Sequence, residues 1–150
     1  LVHKYSVVSL RFTMTSTLSP EFIQARENFA AWYDAKSEDE QLLIDEISDR
    51  TSFIIDEDEY DEFIKELADY GITDASTFED AFASEIEGYG ERVLGEFAEA
   101  WCDGTSMLAE LDNDAIVHCI DWNQYWYYAM QYDFIVIEVN CNTYFFYNHY

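Results

Sequence analysis

The uneven distribution of charge is the feature that most constrains this chain. Residues 34–114 hold 27 acidic and four basic side chains, whereas residues 115–150 hold three acids and no lysine or arginine. Acidic disordered chains lack aromatic residues, and this one has 12 Tyr, 11 Phe and 4 Trp. The acids therefore belong to one segment of a folded protein, and the aromatic segment that follows is typical of a core or an interface.

The length of 150 residues allows one compact domain or two small ones with a real core. The composition shifts predict an N-terminal extension over residues 1–18, an acidic helical region over 19–75 and a mixed α and β region over 76–150. Met14 is an alternative start of the chain, which would make residues 1–13 an upstream addition.

Capping signals predict three helices in the first half. Ser19 followed by Pro20 starts a helix over 20–35. Ser37 and Glu40 form a capping box for a helix over 38–49, and Asp56 and Glu59 form a second one. The helix over 57–69 then places Tyr60, Phe63, Ile64, Leu67 and Tyr70 on one face and ends at Gly71.

The second half mixes helices with strand signals. Thr77 begins a short helix through Phe82, Gly88 and Gly90 mark a break, and a helix follows to about Asp103. A short helix is expected over 112–118, and Asp121 with Gln124 caps an aromatic helix. The runs FIVIEV and TYFFY, joined at Asn140-Cys141-Asn142, predict a hairpin. The class is α+β, mostly short acidic helices with a C-terminal β-hairpin or small antiparallel sheet.

Carboxylates cover the outer faces of these helices with few lysines to balance them. Like charges at i,i+4 repel by a few tenths of a kcal/mol each, and a surface serving solubility alone usually mixes both signs. This pattern favours a functional negative field, with a solvated face as the alternative. The expected partner-binding carboxylates are Glu57, Asp58, Asp61, Glu62, Glu66, Asp69, Glu79, Asp80, Glu85, Glu87, Glu91, Glu96, Glu99 and Asp103.

The size of the charge indicates what such a field could imitate. B-DNA carries one charge per roughly 1.7 Å of axis, so 25 charges match about 12 base pairs, or roughly 40 Å of duplex. Short helices laid end to end could span that length and enter a DNA-binding channel as a decoy. Direct binding to nucleic acid or to an anionic membrane is disfavoured, because both are polyanions.

Three stretches of the second half resemble the ArdA family of antirestriction proteins. They are TFEDAFASEIEGYGERVLGEFAEAW over 77–101, HCIDWNQYWYYAMQYDFIVIE over 118–138 and YFFYN over 144–148. The resemblance covers about 75 of the 150 residues. It implies an acidic, elongated, often dimeric DNA mimic that inhibits Type I restriction–modification enzymes and is carried by plasmids, transposons and phages.

The sequence also allows targets other than a Type I enzyme and a class of protein other than a DNA mimic. A CRISPR effector, another nuclease, or a histone-like or polymerase protein also presents a basic channel. An acidic protein of the halophilic type is a further alternative, although its acids should also coat residues 115–150. The aromatic segment predicts a homodimer, with interface residues Trp122, Tyr125, Trp126 and Tyr128.

Motifs for catalysis or metal binding are weak. Neither Asp56-Asp58-Asp61 nor Asp112-Asn113-Asp114 has the glycine and glutamate spacing of an EF-hand, and the three cysteines include no C-x-x-C pair. Neither a nucleophile signature nor a P-loop occurs. We therefore expect no enzyme, catalytic residue, metal or cofactor. The odd cysteine count and the lack of a membrane span or signal peptide predict a reducing compartment. Together with the ArdA resemblance, this implies the cytoplasm of a bacterial host.

Overall fold

The structure is a computed structural model that describes residues 19–105, 108 and 114–149. Within these residues it has seven helices and a three-stranded antiparallel sheet, which confirms the α+β class. The chain divides into two compact units, one ending at Asp80 and the other starting at Ala81. The sequence-based division at 75/76 lies close to this boundary, and the expected extension over residues 1–18 lies outside the described residues.

The first unit is helical, and its caps are the ones that the sequence predicts. Ser19 Oγ accepts from the Phe22 amide at 3.2 Å, and both capping boxes are closed. The expected helices agree with the observed ones to within a residue, apart from α4, which begins two residues before Thr77 because Asp74 caps it. The helices are α1 (Pro20–Asp34), α2 (Glu38–Arg50), α3 (Glu57–Asp69) and α4 (Ala75–Ala81).

The apolar stripe of α3 packs into the core of the first unit. Phe63 meets Phe78 of α4 edge-on with centroids 6.2 Å apart, and Tyr60 meets Phe29 of α1 at 5.8 Å. Tyr70, expected on the same stripe, is instead exposed because the helix ends there. The amide of Ile72 returns to the Leu67 carbonyl at 3.0 Å, so Ile72 is the residue that enters the core.

The second unit places a helix, α5 (Glu91–Gly104), and an aromatic segment on a small sheet. Its strands β1 (Phe82–Glu87), β2 (Phe134–Val139) and β3 (Asn142–Tyr147) lie in the order β1-β3-β2, with β3 paired antiparallel to both neighbours. A tight turn with positive φ at Asn140 and Cys141 joins β2 to β3, which confirms the hairpin. The elements are β1 (Phe82–Glu87), α5 (Glu91–Gly104), α6 (Asp114–His118), α7 (Trp122–Tyr125), a π-helical turn (Trp126–Met130), β2 (Phe134–Val139) and β3 (Asn142–Tyr147).

Strand β1 corrects the sequence-based assignment of Phe82 to a helix. Phe82 pairs with Phe146 of β3, and their rings meet edge-on with centroids 5.6 Å apart. The segment FASEIE has little local preference for a strand, and its partner lies some 60 residues away in the sequence. This pairing follows from tertiary contacts, which a local pattern does not contain.

Aromatic rings form the core between α5 and the sheet. Phe97 stacks on Phe145 with centroids 3.9 Å apart, and Trp126 meets both rings edge-on. Trp126 is 3% exposed, so it is a core residue and does not belong to the expected dimer interface. The single aromatic helix expected from the sequence is divided, because α7 widens into the π-helical turn at Trp126. Trp122 and Tyr125 pack half-buried against this core.

Candidate acidic surfaces

The outer face of α3 is the strongest candidate site in the first unit. Asp58, Asp61, Glu62 and Asp69 are exposed on it, while Glu57 and Glu66 are half-buried beside the core stripe. The fold leaves these side chains outside because Tyr60, Phe63 and Leu67 occupy the inner face. The structure thus brings six of the expected carboxylates together on one helix.

The charge spacing along α3 equals that of a DNA strand. This helix holds seven acids and one lysine in 13 residues, a net charge of -6. Thirteen residues span about 20 Å, so the mean spacing is about 3.3 Å per charge. One strand of B-DNA carries a charge every 3.4 Å or so. The density of negative charge on this helix is therefore that of a single phosphate backbone.

Helix α2 is a second acidic element, which the site prediction from sequence omitted. It holds six acids and one arginine in 13 residues, about one net charge per 4 Å. Its exposed carboxylates are Glu38, Asp39, Asp49 and Glu40, the last of which closes the capping box with Ser37. Comparing net charge per helix length across all predicted helices would have found them, whereas the expected carboxylates all lie between residues 57 and 103.

Several carboxylates of the first unit already have partners within it. Asp61 accepts from Lys36 Nζ at 2.8 Å and from Trp32 Nε1 at 3.1 Å. Arg50 pairs with Glu46 and reaches Glu79 at 3.2 Å. Asp45 accepts from the Tyr33 hydroxyl at 2.9 Å. Asp61 and Glu79 are thus less available to an outside partner than Asp58, Glu62, Asp69 and the exposed Asp80.

The second unit carries a sparser acidic surface. Helix α5 exposes Glu91, Glu96, Glu99 and Asp103, and Arg92 pairs with Glu96. The net charge of -3 over 14 residues is about one charge per 7 Å. On β1, Glu87 is exposed and Glu85 is half-buried. The expected carboxylates of this unit therefore form a weaker field than those of α3.

The pKa shifts in the structure have local causes within each unit. Hydrogen bonds from the backbone and side chain of Ser37 lower the pKa of Glu40, and those from Thr77 lower the pKa of Asp74. Burial raises the pKa of Cys102 and that of Tyr125. The three cysteines are free, Cys102 buried and Cys119 and Cys141 exposed. Glu40 and Asp74 therefore stabilise helix ends, and Cys102 belongs to the core.

The described part of the chain meets the requirements of neither a metal site nor a membrane-spanning helix. No three His, Cys, Asp or Glu residues there are placed to hold a metal ion. None of the described helices is long and apolar enough to cross a membrane. Comparison with known proteins gave no match among family models, curated proteins or solved structures.

Proposed function

We propose that this protein is a DNA mimic that inhibits a DNA-binding host-defence enzyme by occupying its basic channel. A Type I restriction–modification complex is the favoured target, in the cytoplasm of a bacterial host. The ArdA-like stretches within 77–148 support this choice of target. A CRISPR effector, another nuclease, or a histone-like or polymerase protein would present the same kind of channel.

One observation carries the proposal: α3 has the linear charge density of a DNA strand, and four of its seven carboxylates are exposed. A basic groove that releases bound anions on meeting DNA gains the same entropy on meeting this helix. Helix α2 adds a second surface of similar density within the same unit. The acids act collectively as a field, so binding requires no single indispensable carboxylate.

The decisive experiment measures inhibition of a purified Type I enzyme by the full chain. We expect ATP-dependent DNA cleavage to fall as the protein is added and to recover when competing duplex is raised. The protein alone should not retard duplex DNA in a gel at low salt. If no Type I enzyme is inhibited, capture from a host lysate at low salt and release at about 0.5 M salt identifies the alternative target.

Two matched double variants separate a DNA-like helix from general acidity. Asp58→Asn with Glu62→Gln removes two exposed charges from α3, and Glu21→Gln with Glu27→Gln removes two from α1. We expect only the α3 pair to weaken inhibition clearly and to flatten its salt dependence. Equal losses from both pairs would show that net charge, and not α3, determines binding.

We also propose a homodimer through exposed tyrosines of the second unit. Tyr128 is 87% exposed and Tyr132 is 76% exposed, and Tyr127 lies beside them in sequence. Residues 115–150 hold few charges, so two such acidic chains repel each other least there. Sedimentation should show a dimer at tens of micromolar that Tyr128→Asp dissociates, and a monomeric wild type would contradict it.

A further inference from the structure

The second unit has an open aromatic groove that the proposed function does not use. It has a volume of about 380 Å³ and is lined by Trp101, Tyr125, Phe134, Tyr147, Asp133 and His149. We refer to these six residues as the aromatic groove. Trp101, Tyr125 and Tyr147 are half-buried, so each leaves part of its ring open to the groove.

The rings of the aromatic groove are held in place by their neighbours. Trp101 meets Phe134 edge-on with centroids 5.1 Å apart and Tyr147 edge-on at 5.7 Å. Tyr125 meets Trp122 edge-on with ring centroids 5.7 Å apart. The groove is therefore formed before any ligand arrives, which reduces the entropy lost on binding.

Asp133 supplies the one carboxylate of the aromatic groove. Its amide donates to the Met130 carbonyl and its carbonyl accepts from the Asn148 amide, both at 2.9 Å, so its backbone is fixed. The exposed carboxylate makes no hydrogen bond or ion pair within the described residues. Arg92 is the only lysine or arginine after residue 80, and it pairs with Glu96.

Open π faces beside a carboxylate, with no lysine or arginine among the lining residues, suit a planar cation. A guanidinium stacks on aromatic rings, bonds a carboxylate through two parallel N–H groups and sheds water more readily than an ammonium. The three-carbon stem of arginine would also cover the exposed Ala129 in the lining. These properties distinguish arginine from lysine as the occupant.

We propose that the aromatic groove binds an arginine side chain of the basic protein that the acidic helices engage. The source of that arginine rests on the proposed function, whereas the chemistry of the groove does not. Phosphate backbones contain no such groove, so this contact adds an anchor that DNA lacks. It would let the protein prefer one basic channel over another with the same charge.

The test is an NMR titration of the full chain with N-acetyl-arginine methylamide. We expect a dissociation constant on the order of millimolar, with shifts centred on the Trp101 indole and the Asp133 and Tyr147 amides. The citrulline analogue has the same shape without the charge, and it should produce no comparable shifts. The lysine analogue should bind several-fold more weakly than the arginine probe.

Two variants and a matched control locate the contact. Asp133→Asn should weaken arginine binding roughly threefold. Glu138→Gln removes one exposed charge from β2, about 13 Å beyond Phe134, and its amide oxygen can still accept from the Gly90 amide, so arginine binding should not change. Trp101→Leu should weaken binding by about fivefold. If Trp101→Leu disturbs the fold, as its spectrum will show, the Asp133→Asn and Glu138→Gln comparison decides alone.

Three outcomes would overturn the proposal. These are equal binding of the citrulline analogue, equal effects of Asp133→Asn and Glu138→Gln, and groove signals that shift with protein concentration and not with the probe. The last outcome would assign the groove to a second copy of the chain. The titration contains no target enzyme, so it tests the groove independently of the proposed function. Arginine binding can be found although inhibition is absent, and inhibition can be found although arginine binding is absent.

Discussion

At the scale of single residues, carboxylates of one chemical type have three different roles. Glu40 and Glu59 close capping boxes, and Asp61 joins α3 to Lys36 and Trp32. Asp58 and Glu62 face solvent from the same helix as Asp61. Composition counts them equally, but only the exposed residues without an internal partner can imitate phosphates freely.

This division of roles predicts opposite effects of two neighbouring substitutions on stability. Asp61→Asn should lower the free energy of unfolding by about 0.5–1 kcal/mol, because it removes the Lys36 ion pair and weakens the Trp32 hydrogen bond. Glu62→Gln should be neutral or slightly stabilising, since it relieves repulsion with Asp58 and Glu66. Urea unfolding of both variants measures the difference, and equal losses would contradict it.

The lowered pKa of Glu40 predicts a pH-dependent contribution to stability. A carboxyl whose pKa is lower in the folded state stabilises the fold fully above its ordinary pKa of 4.5. That contribution is lost as the pH falls through the lowered value. The stability difference between wild type and Glu40→Gln should therefore be constant above about pH 5.5 and shrink towards pH 3. A difference that grows on acidification would contradict this.

At the scale of elements, helix ends explain how such acidic helices are stable. Each of α1, α2 and α3 begins with a side-chain cap, and α2 and α3 carry three acids in the first turn, where the helix dipole favours them. The far end of α3 has no basic residue in its last turn. It relies instead on Gly71, which has a φ of 81° and returns the chain to the core at Ile72.

The end of α3 predicts a costly glycine substitution. Gly71→Ala should lower the free energy of unfolding by about 1–2 kcal/mol, because a side chain is strained at positive φ. Gly104→Ala is the matched control at the end of α5. It has open space around it and no positive φ, so it should be neutral or mildly stabilising. Equal effects on the urea midpoint would be inconsistent with the Gly71 conformation.

At the scale of the whole molecule, the net charge of -25 opposes folding while it serves binding. Residues 19–80 hold 20 acids and four bases, so self-repulsion is strongest in the first unit. Salt at about 0.15 M reduces the range of that repulsion to about 8 Å. The same screening weakens attraction to a basic partner.

Salt should therefore have opposite effects on stability and on inhibition. Raising NaCl from about 0.02 to 0.5 M should increase the melting temperature by several degrees and weaken target binding by at least tenfold. A variant with Asp58→Asn and Glu62→Gln should show a smaller increase in melting temperature. Calorimetry and an inhibition assay on the same samples measure both effects, and a melting temperature that falls with added salt would contradict the repulsion argument.

Local sequence signals determined the helices of the first unit, their caps, the C-terminal hairpin and the acidic outer face of α3. They did so because caps, periodicity and turns act over three or four residues. Strand β1, the burial of Trp126 and the engagement of Asp61 depended on residues distant in the sequence. Phe82 pairs with Phe146, Trp126 packs on Phe97 and Phe145, and Asp61 bonds Lys36 and Trp32. Only tertiary packing brings such groups together, and it decides which rings form the core and which acids remain exposed.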